Sequence, residues 1–167
     1  LSSSQESLLL WLSLFIVLAA LIKSAQFPFS SWLPRAMEGP SSSSSIFYGS
    51  LAVHLGIFLL LRTFPLWSHD YFIRGLLVAV GLISAISGTL ISRVQSGVKS
   101  QLAYSTVVQI GFMLMELGFG LNGFVLFHVV GHSFLRAYQF LVSPSVLSYL
   151  SHHMIFHFKP RVKVLRS

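Results

Sequence analysis

The sequence predicts an all-α protein, a polytopic transmembrane helix bundle with a broken helix near residues 23–40. Of its 167 residues, 54% are hydrophobic and only 9% are charged, whereas about 25% are charged in a typical soluble domain. The apolar residues form runs of about 20, the length that crosses a bilayer. These figures exclude a disordered chain, a coiled coil and a soluble globular domain. The absence of cysteine excludes a disulfide scaffold.

Five apolar segments account for the predicted crossings. They form a helix block over residues 1–146, followed by a short amphipathic segment and a basic tail over 147–167. Five crossings are few for a self-sufficient transporter. We therefore expect a fragment, a split gene product or a partial chain. The segments are A (about 7–25), B (from after Pro40 to 61), C (71–92), D (101–120) and E (122–142, ending near Pro144).

Two of these segments carry features that interrupt a plain apolar helix. Segment A meets Pro28 soon after Lys23, and proline disfavours helix both at and before its own position, so we expect a break near Phe27–Pro28. Segment B opens with a run of serines. Serine packs closely between helices in lipid, whereas in a soluble protein the run would be a flexible linker. The apolar sequence behind the serines favours the helix.

Loop charge predicts the orientation of the bundle. The net charge is +7, from 11 Lys and Arg against 4 Asp and Glu. In a soluble protein this excess would suggest nucleic acid, but here it is interpreted as a topology signal, with no nucleic-acid partner. The side with more cations should face the cytoplasm or matrix. That side carries Arg35, Arg93, Lys99 and the basic tail, and the other carries Arg62 and Arg74.

Three ionisable side chains form a stripe in segment E. His128, His132 and Arg136 are spaced i, i+4, i+8, which places them on one face of a helix. Histidine can accept a proton on one ring nitrogen and release one from the other, so the stripe indicates a proton wire. The alternative is structural hydrogen bonding to neighbouring helices. No cysteine or HExxH glutamate accompanies the histidines, so we expect no metal site.

Other ionisable residues are weaker candidates. Lys23 precedes the predicted break, where freed carbonyls and water would let a lysine change its charge during turnover; alternatively, it extends to the interface from a helix end. His54 alone is more often a satisfied interior group. Glu116 either lies at the interface or pairs with a buried cation. GxGxxG, P-loop and CxxC motifs are absent, so we expect no cofactor in this chain.

Three stretches of the chain carry a family pattern. Residues 23–28 (KSAQFP), with WLP at 32–34 and AMEGP at 36–40, form one. Residues 95–111 (QSGVKSQLAYSTVVQIG) are similar to DLKR-x-LAYSTxSQxG, and residues 128–136 (HVVGHSFLR) are similar to HxxxHAFFKA. In this order and spacing, across about residues 24–146, they resemble the antiporter-like subunits of respiratory complex I, above all NADH dehydrogenase subunit 5 and its bacterial L-chain counterpart.

The resemblance implies a proton-translocating, non-catalytic membrane-arm subunit of an NADH:quinone oxidoreductase. It implies that Lys23 is the lysine of the broken helix, that His128 and His132 belong to the central proton wire, and that Arg136 replaces the lysine after them. The implied partners are other membrane subunits of a large complex, the lipid bilayer and protons. The implied location is the mitochondrial inner membrane or the bacterial plasma membrane.

Several departures from the family pattern widen the interpretation. The usual GPTPVSALIHA reads GPSSSSSIFYG here, so Tyr48 occupies the position of an ionisable histidine and His54 could substitute for it. Arg136 cannot release a proton, so it can only set the electrostatic field of its neighbours. Gly97 and Ser100 replace an acidic and a basic residue. Such departures also suit a DAB-type inorganic-carbon subunit, an Mrp-type cation/proton antiporter, or a degenerate structural piece of a membrane arm.

Overall fold

The structure is a computed structural model that describes residues 3–38 and 44–157. Within these ranges it is helical and contains no strand, which confirms the predicted all-α class. Part of the serine run and the basic tail lie outside the described residues. The elements are α1 (Ser3–Lys23), α2 (Trp32–Ala36), a π-helical segment (Ser44–Ala52), α3 (His54–Trp67), α4 (Tyr71–Val94), α5 (Val98–Phe119) and α6 (Asn122–His157).

Three of the described helical spans are long and apolar enough to cross a membrane. They are Ser44–Trp67, Tyr71–Val94 and Val98–Phe119, and they correspond to segments B, C and D. The chain is therefore an integral membrane protein. The apolar part of α1, Ser7–Lys23, is shorter than these spans. Helix α6 is continuous, but the predicted polar stripe lies within its apolar sequence. Five crossings stay a prediction.

The break after α1 spans residues 24–31 and includes the predicted site at Phe27–Pro28. Ala25 adopts a left-handed backbone with φ of 54°. The Gln26 N–H donates to the Leu21 carbonyl at 3.0 Å, and the Ala25 N–H donates to the Ile22 carbonyl at 3.3 Å. This is the Schellman arrangement that ends helices. Helix α1 therefore ends a few residues before Pro28, where alanine occupies the left-handed position that glycine usually fills.

Side chains from other helices hold the end of α1 in place. Trp32 Nε1 of α2 donates to the Ile22 carbonyl at 3.0 Å. Buried Gln26 donates through Nε2 to a carbonyl of α5 at 3.4 Å, and the Phe27 N–H donates to Ser84 Oγ of α4 at 3.0 Å. In lipid, backbone groups freed by a break must find partners within the protein. These bonds supply partners that keep the break inside the bundle.

Helices α4 and α5 form an antiparallel hairpin and make the most extensive helix–helix contact among the described elements. Two glycines allow the close approach. A Cβ atom added to Gly81 would lie 2.5 Å from the Gly111 carbonyl oxygen, and one added to Gly111 would lie 2.7 Å from the Gly81 carbonyl oxygen. Small residues permit such contact between membrane helices. The hairpin is the base from which α5 presents its polar face to α6.

The serine-rich half of segment B packs against α6 as a π-helix. Ser45 Oγ donates to the Ala137 carbonyl at 3.0 Å, and Ser50 Oγ donates to the Ser133 carbonyl at 3.1 Å. The serines described here therefore belong to a helix, as predicted, and they serve as interhelical donors. A π turn contains an extra residue and is frequent at functional sites. This one ends immediately before α3.

Helix α6 runs for 36 residues and continues through Pro144. The predicted end of the helix near Pro144 was therefore wrong. Proline is tolerated inside membrane helices because neighbouring groups satisfy the carbonyl that loses its backbone donor. The residues after 146 continue the same helix as far as His157. The division of the chain at 146/147 stays a prediction.

Candidate functional site

His132 lies at the centre of a buried hydrogen-bonded row. Its Nδ1 is 2.9 Å from His54 Nε2 at the start of α3, and its Nε2 accepts a hydrogen bond from Arg136 Nε at 3.0 Å. The exposed fractions of His54, His132 and Arg136 are 4%, 6% and 5%. These three residues, here named the histidine row, connect α3 to α6 without a gap.

Arg136 is held by neutral partners. Its NH1 donates to Gln139 Oε1 at 2.7 Å. Among the residues that the structure describes, no carboxylate lies within salt-bridge distance of the guanidinium. A buried cation is costly unless it is hydrogen-bonded, so His132 and Gln139 supply its stabilisation within this part of the chain. The sequence predicted an influence of Arg136 on His132 through its field, and the structure adds direct contact.

His128 belongs to a second group that joins α6 to α5. Its Nδ1 is 2.9 Å from Glu116 Oε1, and its Nε2 is 3.3 Å from Gln109 Oε1. The side chains of His128 and Glu116 are 22% and 16% exposed. Of the two alternatives for Glu116, the structure favours the partner of a buried group that can become a cation. Glu116, His128 and Gln109 are named the Glu116 cluster below.

A gap separates these two assemblies of side chains, the histidine row and the Glu116 cluster. The rings of His128 and His132 are 6.2 Å apart between centroids and nearly perpendicular, at 87°. A cleft of about 710 Å³ lies beside both rings between α5 and α6. Its polar lining includes Gln101 and Ser105 of α5. Polar side chains occupy part of its mostly apolar lining, and a cleft of this volume has room for the water that would bridge the two histidines.

Lys23 and Tyr48 belong to neither assembly. Lys23 ends α1 and is exposed on this chain. Its neighbour Ser24 lies against Gly56, where an added Cβ would be 3.0 Å from Ser24 Cβ, and Gly56 is two residues beyond His54. The break in α1 therefore touches the helix that carries the histidine row. Tyr48 packs, partly buried, against the hydrophobic core. The roles of both residues in a proton path stay predictions.

Gln109 and Gln139 were missed by the sequence analysis. A signal existed for each, because Gln139 follows Arg136 by three residues and Gln109 precedes Glu116 by seven, spacings that share a helix face. An uncharged amide in a helix nevertheless has many roles. Its role here became visible only once α5 and α6 were brought together.

The arrangement is suited to holding and passing protons. Imidazole and carboxylate groups exchange protons near neutral pH, and hydrogen bonds already connect them in two short rows. In the part of the chain that the structure describes, no three His, Cys, Asp or Glu side chains converge as a metal site would require. The ring nitrogens of His132 are both engaged, by His54 and by Arg136.

A helix bundle with a broken first helix and a buried row of proton-exchanging side chains is the architecture of an antiporter-like membrane subunit. The sequence profile of the family "NADH:quinone oxidoreductase/Mrp antiporter, TM" matches residues 2–158. The chain belongs to this family, as the three sequence motifs predicted.

Three curated relatives illustrate the range of the family. The chain is 43% identical over 145 residues to the probable inorganic carbon transporter subunit DabB2 of Halothiobacillus neapolitanus, covering 87% of this chain and 26% of the relative. It is 42% identical over 135 residues to the chloroplastic NAD(P)H-quinone oxidoreductase subunit 5 of Marchantia polymorpha (81% and 20%). For the same subunit of Poa pratensis the identity is 43% over 143 residues (85% and 20%). The chain thus spans about a quarter or less of these relatives.

Proposed function

We propose that this chain belongs to a proton-translocating membrane-arm subunit of a complex I-type NADH:quinone oxidoreductase. The observation that carries the proposal is the histidine row, which places two imidazoles and a guanidinium in hydrogen-bonded contact inside a membrane bundle. Ionisable groups are retained in such bundles mainly where they serve an ion or proton path. The relatives named as quinone oxidoreductase subunit 5 support the same activity.

Within this proposal the side chains divide the work by chemistry. His54, His128 and His132 receive and release protons, and Glu116 exchanges a proton with His128. Arg136 keeps its charge and orients its neighbours, since a guanidinium does not release its proton. Lys23 acts at the end of α1, where the break meets α3. In this proposal the redox cofactors belong to other subunits, and this chain contributes side chains of the proton path.

The surroundings of the chain follow from its surface. Large apolar side chains are exposed along α1 and α6, where only lipid or other apolar helices stabilise them. The proposed partners are accordingly the bilayer and other membrane subunits of a large complex. The proposed membrane is the mitochondrial inner membrane or the bacterial plasma membrane, and the chloroplastic relatives extend this to a chloroplast membrane. Examples of the exposed residues are Leu8, Trp11, Phe15, Phe127, Phe134 and Tyr138.

The test replaces His132 by asparagine in the complex that contains this chain, reconstituted in lipid vesicles. Asparagine still forms hydrogen bonds but does not take up a proton at neutral pH, so assembly should survive while proton translocation per electron falls. The measurements are vesicle acidification and NADH-driven quinone reduction. The matched control is His69→Asn, since His69 is exposed in a turn between α3 and α4. Normal translocation by the His132→Asn variant would refute the proposed function.

A second candidate function has its own support. The relative named as a probable inorganic carbon transporter subunit is 43% identical to this chain, so a proton-driven inorganic-carbon uptake subunit would use the same histidine row. The two functions differ in their partners. Co-purification with quinone-oxidoreductase subunits supports the first, and co-purification with a single soluble partner subunit and no electron-transfer subunits supports the second.

A further inference from the structure

Arg136 determines where the protons of the histidine row lie. A guanidinium donates hydrogen bonds and never accepts them, and Arg136 Nε is 3.0 Å from His132 Nε2. His132 Nε2 must therefore be bare while this bond exists. A histidine with a bare Nε2 carries its proton on Nδ1, so His132 is neutral and donates from Nδ1.

The tautomer of His132 also determines the tautomer of His54. His132 Nδ1 is 2.9 Å from His54 Nε2, and because His132 donates, His54 Nε2 must accept. His54 then carries its own proton on Nδ1. Both histidines are thus neutral, in the same tautomer, and all the hydrogen bonds of the row run in one direction, from Arg136 through His132 to His54.

The Glu116 cluster is in a different protonation state. His128 Nε2 faces Gln109 Oε1 at 3.3 Å, and an amide oxygen only accepts, so this nitrogen carries a proton. On the other side, His128 Nδ1 and Glu116 Oε1 are 2.9 Å apart. One further proton lies between them, on the imidazole as an ion pair or on the acid as a neutral pair. The Glu116 cluster therefore holds a transferable proton that the histidine row lacks.

We propose that Arg136 is a gate between these two assemblies: it is a positioning residue that locks His132 in the Nδ1–H tautomer and so blocks transfer from His128. Gln139 holds the gate closed by accepting from Arg136 NH1 at 2.7 Å. The gap between the rings of His128 and His132 is the point of interruption. This inference rests on the proposed function and adds the residue that controls it.

Opening the gate permits one balanced transfer. When Arg136 leaves His132, the bare Nε2 takes a proton from His128 through water in the cleft. His132 then gives its Nδ1 proton to His54 Nε2. His54 Nδ1 has no hydrogen-bond partner among the described residues, so its proton passes to a water molecule that the opened row admits. One proton enters the row and one leaves it. Glu116 and His128 are reprotonated through the water of the cleft.

The transfer also prevents the gate from closing too early. After it, His132 carries its proton on Nε2, which faces the N–H of Arg136 as a second donor. Two donors repel each other, so Arg136 cannot resume its bond until the tautomers of both histidines have reset. The lock therefore allows one proton for each opening and discourages backflow.

The experiment determines the tautomers directly. The protein that contains this chain is labelled with histidine carrying ¹⁵N at Nε2, reconstituted in bilayers and examined by solid-state NMR, in which bare and protonated ring nitrogens have separate signals. Signals are assigned by their loss in His54→Asn, His128→Asn and His132→Asn. We expect bare Nε2 signals for His54 and His132 and a protonated Nε2 signal for His128. A protonated Nε2 on His132 would overturn the proposal.

Substitution of Arg136 tests the gate itself. Arg136→Met removes the donor and should split the His132 signal between both forms, whereas Arg136→Lys keeps a donor and should keep Nε2 bare. Arg62→Met is the matched control, since Arg62 is exposed on α3. If Arg136→Met does not fold, Gln139→Leu should produce the same splitting more weakly. An unchanged His132 signal in whichever variant folds contradicts the lock.

A measurement of passive proton conductance tests the gate independently of the proposed function. In vesicles, Arg136→Met should raise the passive proton conductance above that of the unsubstituted protein, because the closed row has been opened. Equal conductance argues against the gate even if the protein translocates protons. Conversely, the NMR pattern stands as evidence for the lock even in a protein whose driven translocation proves absent.

Discussion

The two cations proposed for the proton path have opposite surroundings. Arg136 is buried and hydrogen-bonded to two neutral acceptors. Lys23 ends α1 and is exposed on this chain. This exposure leaves room for another helix to pack against Lys23, and a lysine in such a contact can gain and lose its proton as its surroundings change. The arginine cannot do so.

Substitution of Lys23 distinguishes a proton carrier from a lysine that merely reaches the interface. In the assembled complex, Lys23→Ala should reduce proton translocation about tenfold or more, equivalent to about 1.4 kcal/mol in the barrier, and leave assembly intact. Acidification of reconstituted vesicles measures the effect. Lys99→Ala, in the first turn of α5, is the control. If Lys23→Ala translocates normally, the lysine only extends to the interface.

The stripe of α6 shows what spacing can and cannot predict. The i, i+4 spacing placed His128, His132 and Arg136 on one face, and the structure confirms that they share it. The partner of His132 was not predictable in the same way, because His54 is 78 positions away in the chain. Local periodicity defines one helix face, but the choice of the facing helix depends on packing across the whole bundle.

Two of the three glycines in helix α4, Gly75 and Gly81, differ sharply in their environment. Gly81 meets the backbone of α5, whereas nothing lies within 4 Å of a Cβ added to Gly75. This pair offers a direct measurement of how much the close contact between α4 and α5 contributes to stability.

We expect Gly81→Leu to destabilise the protein by about 3 kcal/mol, the upper end of the cost of overpacking, because backbone must move to admit the side chain. Gly75→Leu should change stability by less than about 1 kcal/mol. The midpoint of thermal unfolding in detergent, compared for the two variants, gives the answer. Equal midpoints would mean that the two helices do not meet closely at Gly81.

The ends of the helices were harder to predict than their existence. All five apolar segments contain helices, because runs of about 20 apolar residues in lipid have few alternatives. The predicted breaks depended on proline: the one at Phe27–Pro28 falls within the observed break, and the one near Pro144 was wrong. The end of α1 is defined by the left-handed Ala25, and Pro144 lies within α6. At α1 the hydrogen bonds from Trp32 and to Ser84 hold the break in place, and a single sequence does not show such bonds.

The orientation of the whole bundle can be tested simply because the chain contains no cysteine. Arg35→Cys and Lys99→Cys should react with an impermeant reagent from the same side of the membrane, and His69→Cys should react from the opposite side. The positive-inside rule places the first two in the cytoplasm or matrix. Reaction of positions 35 and 99 from opposite sides would mean that the number of crossings between them is wrong.

The family and the membrane location could be predicted from the sequence because composition, apolar runs and three ordered motifs all agreed. The two-part construction of the site could not. It depends on whether His132 contacts His128 or His54, and both arrangements are compatible with the same stripe. A rotation of α6 about its axis separates them. The contacts of α6 with the π-helical segment, in which Gly49 meets Phe140 and Ser45 and Ser50 donate to α6 carbonyls, restrict that rotation.

The permanent charge of Arg136 also limits what the membrane voltage can do. Moving one elementary charge across the full membrane involves about 2.3 kcal/mol per 100 mV. Leaving His132 requires a shift of only a few ångströms in a hydrocarbon core about 30 Å thick, so the voltage supplies about 0.2 kcal/mol per 100 mV. That is less than the thermal energy at room temperature. We therefore expect the work that displaces Arg136 to come from the protein and not from the voltage, for example as a movement of α6, whose 36 residues extend well past the arginine.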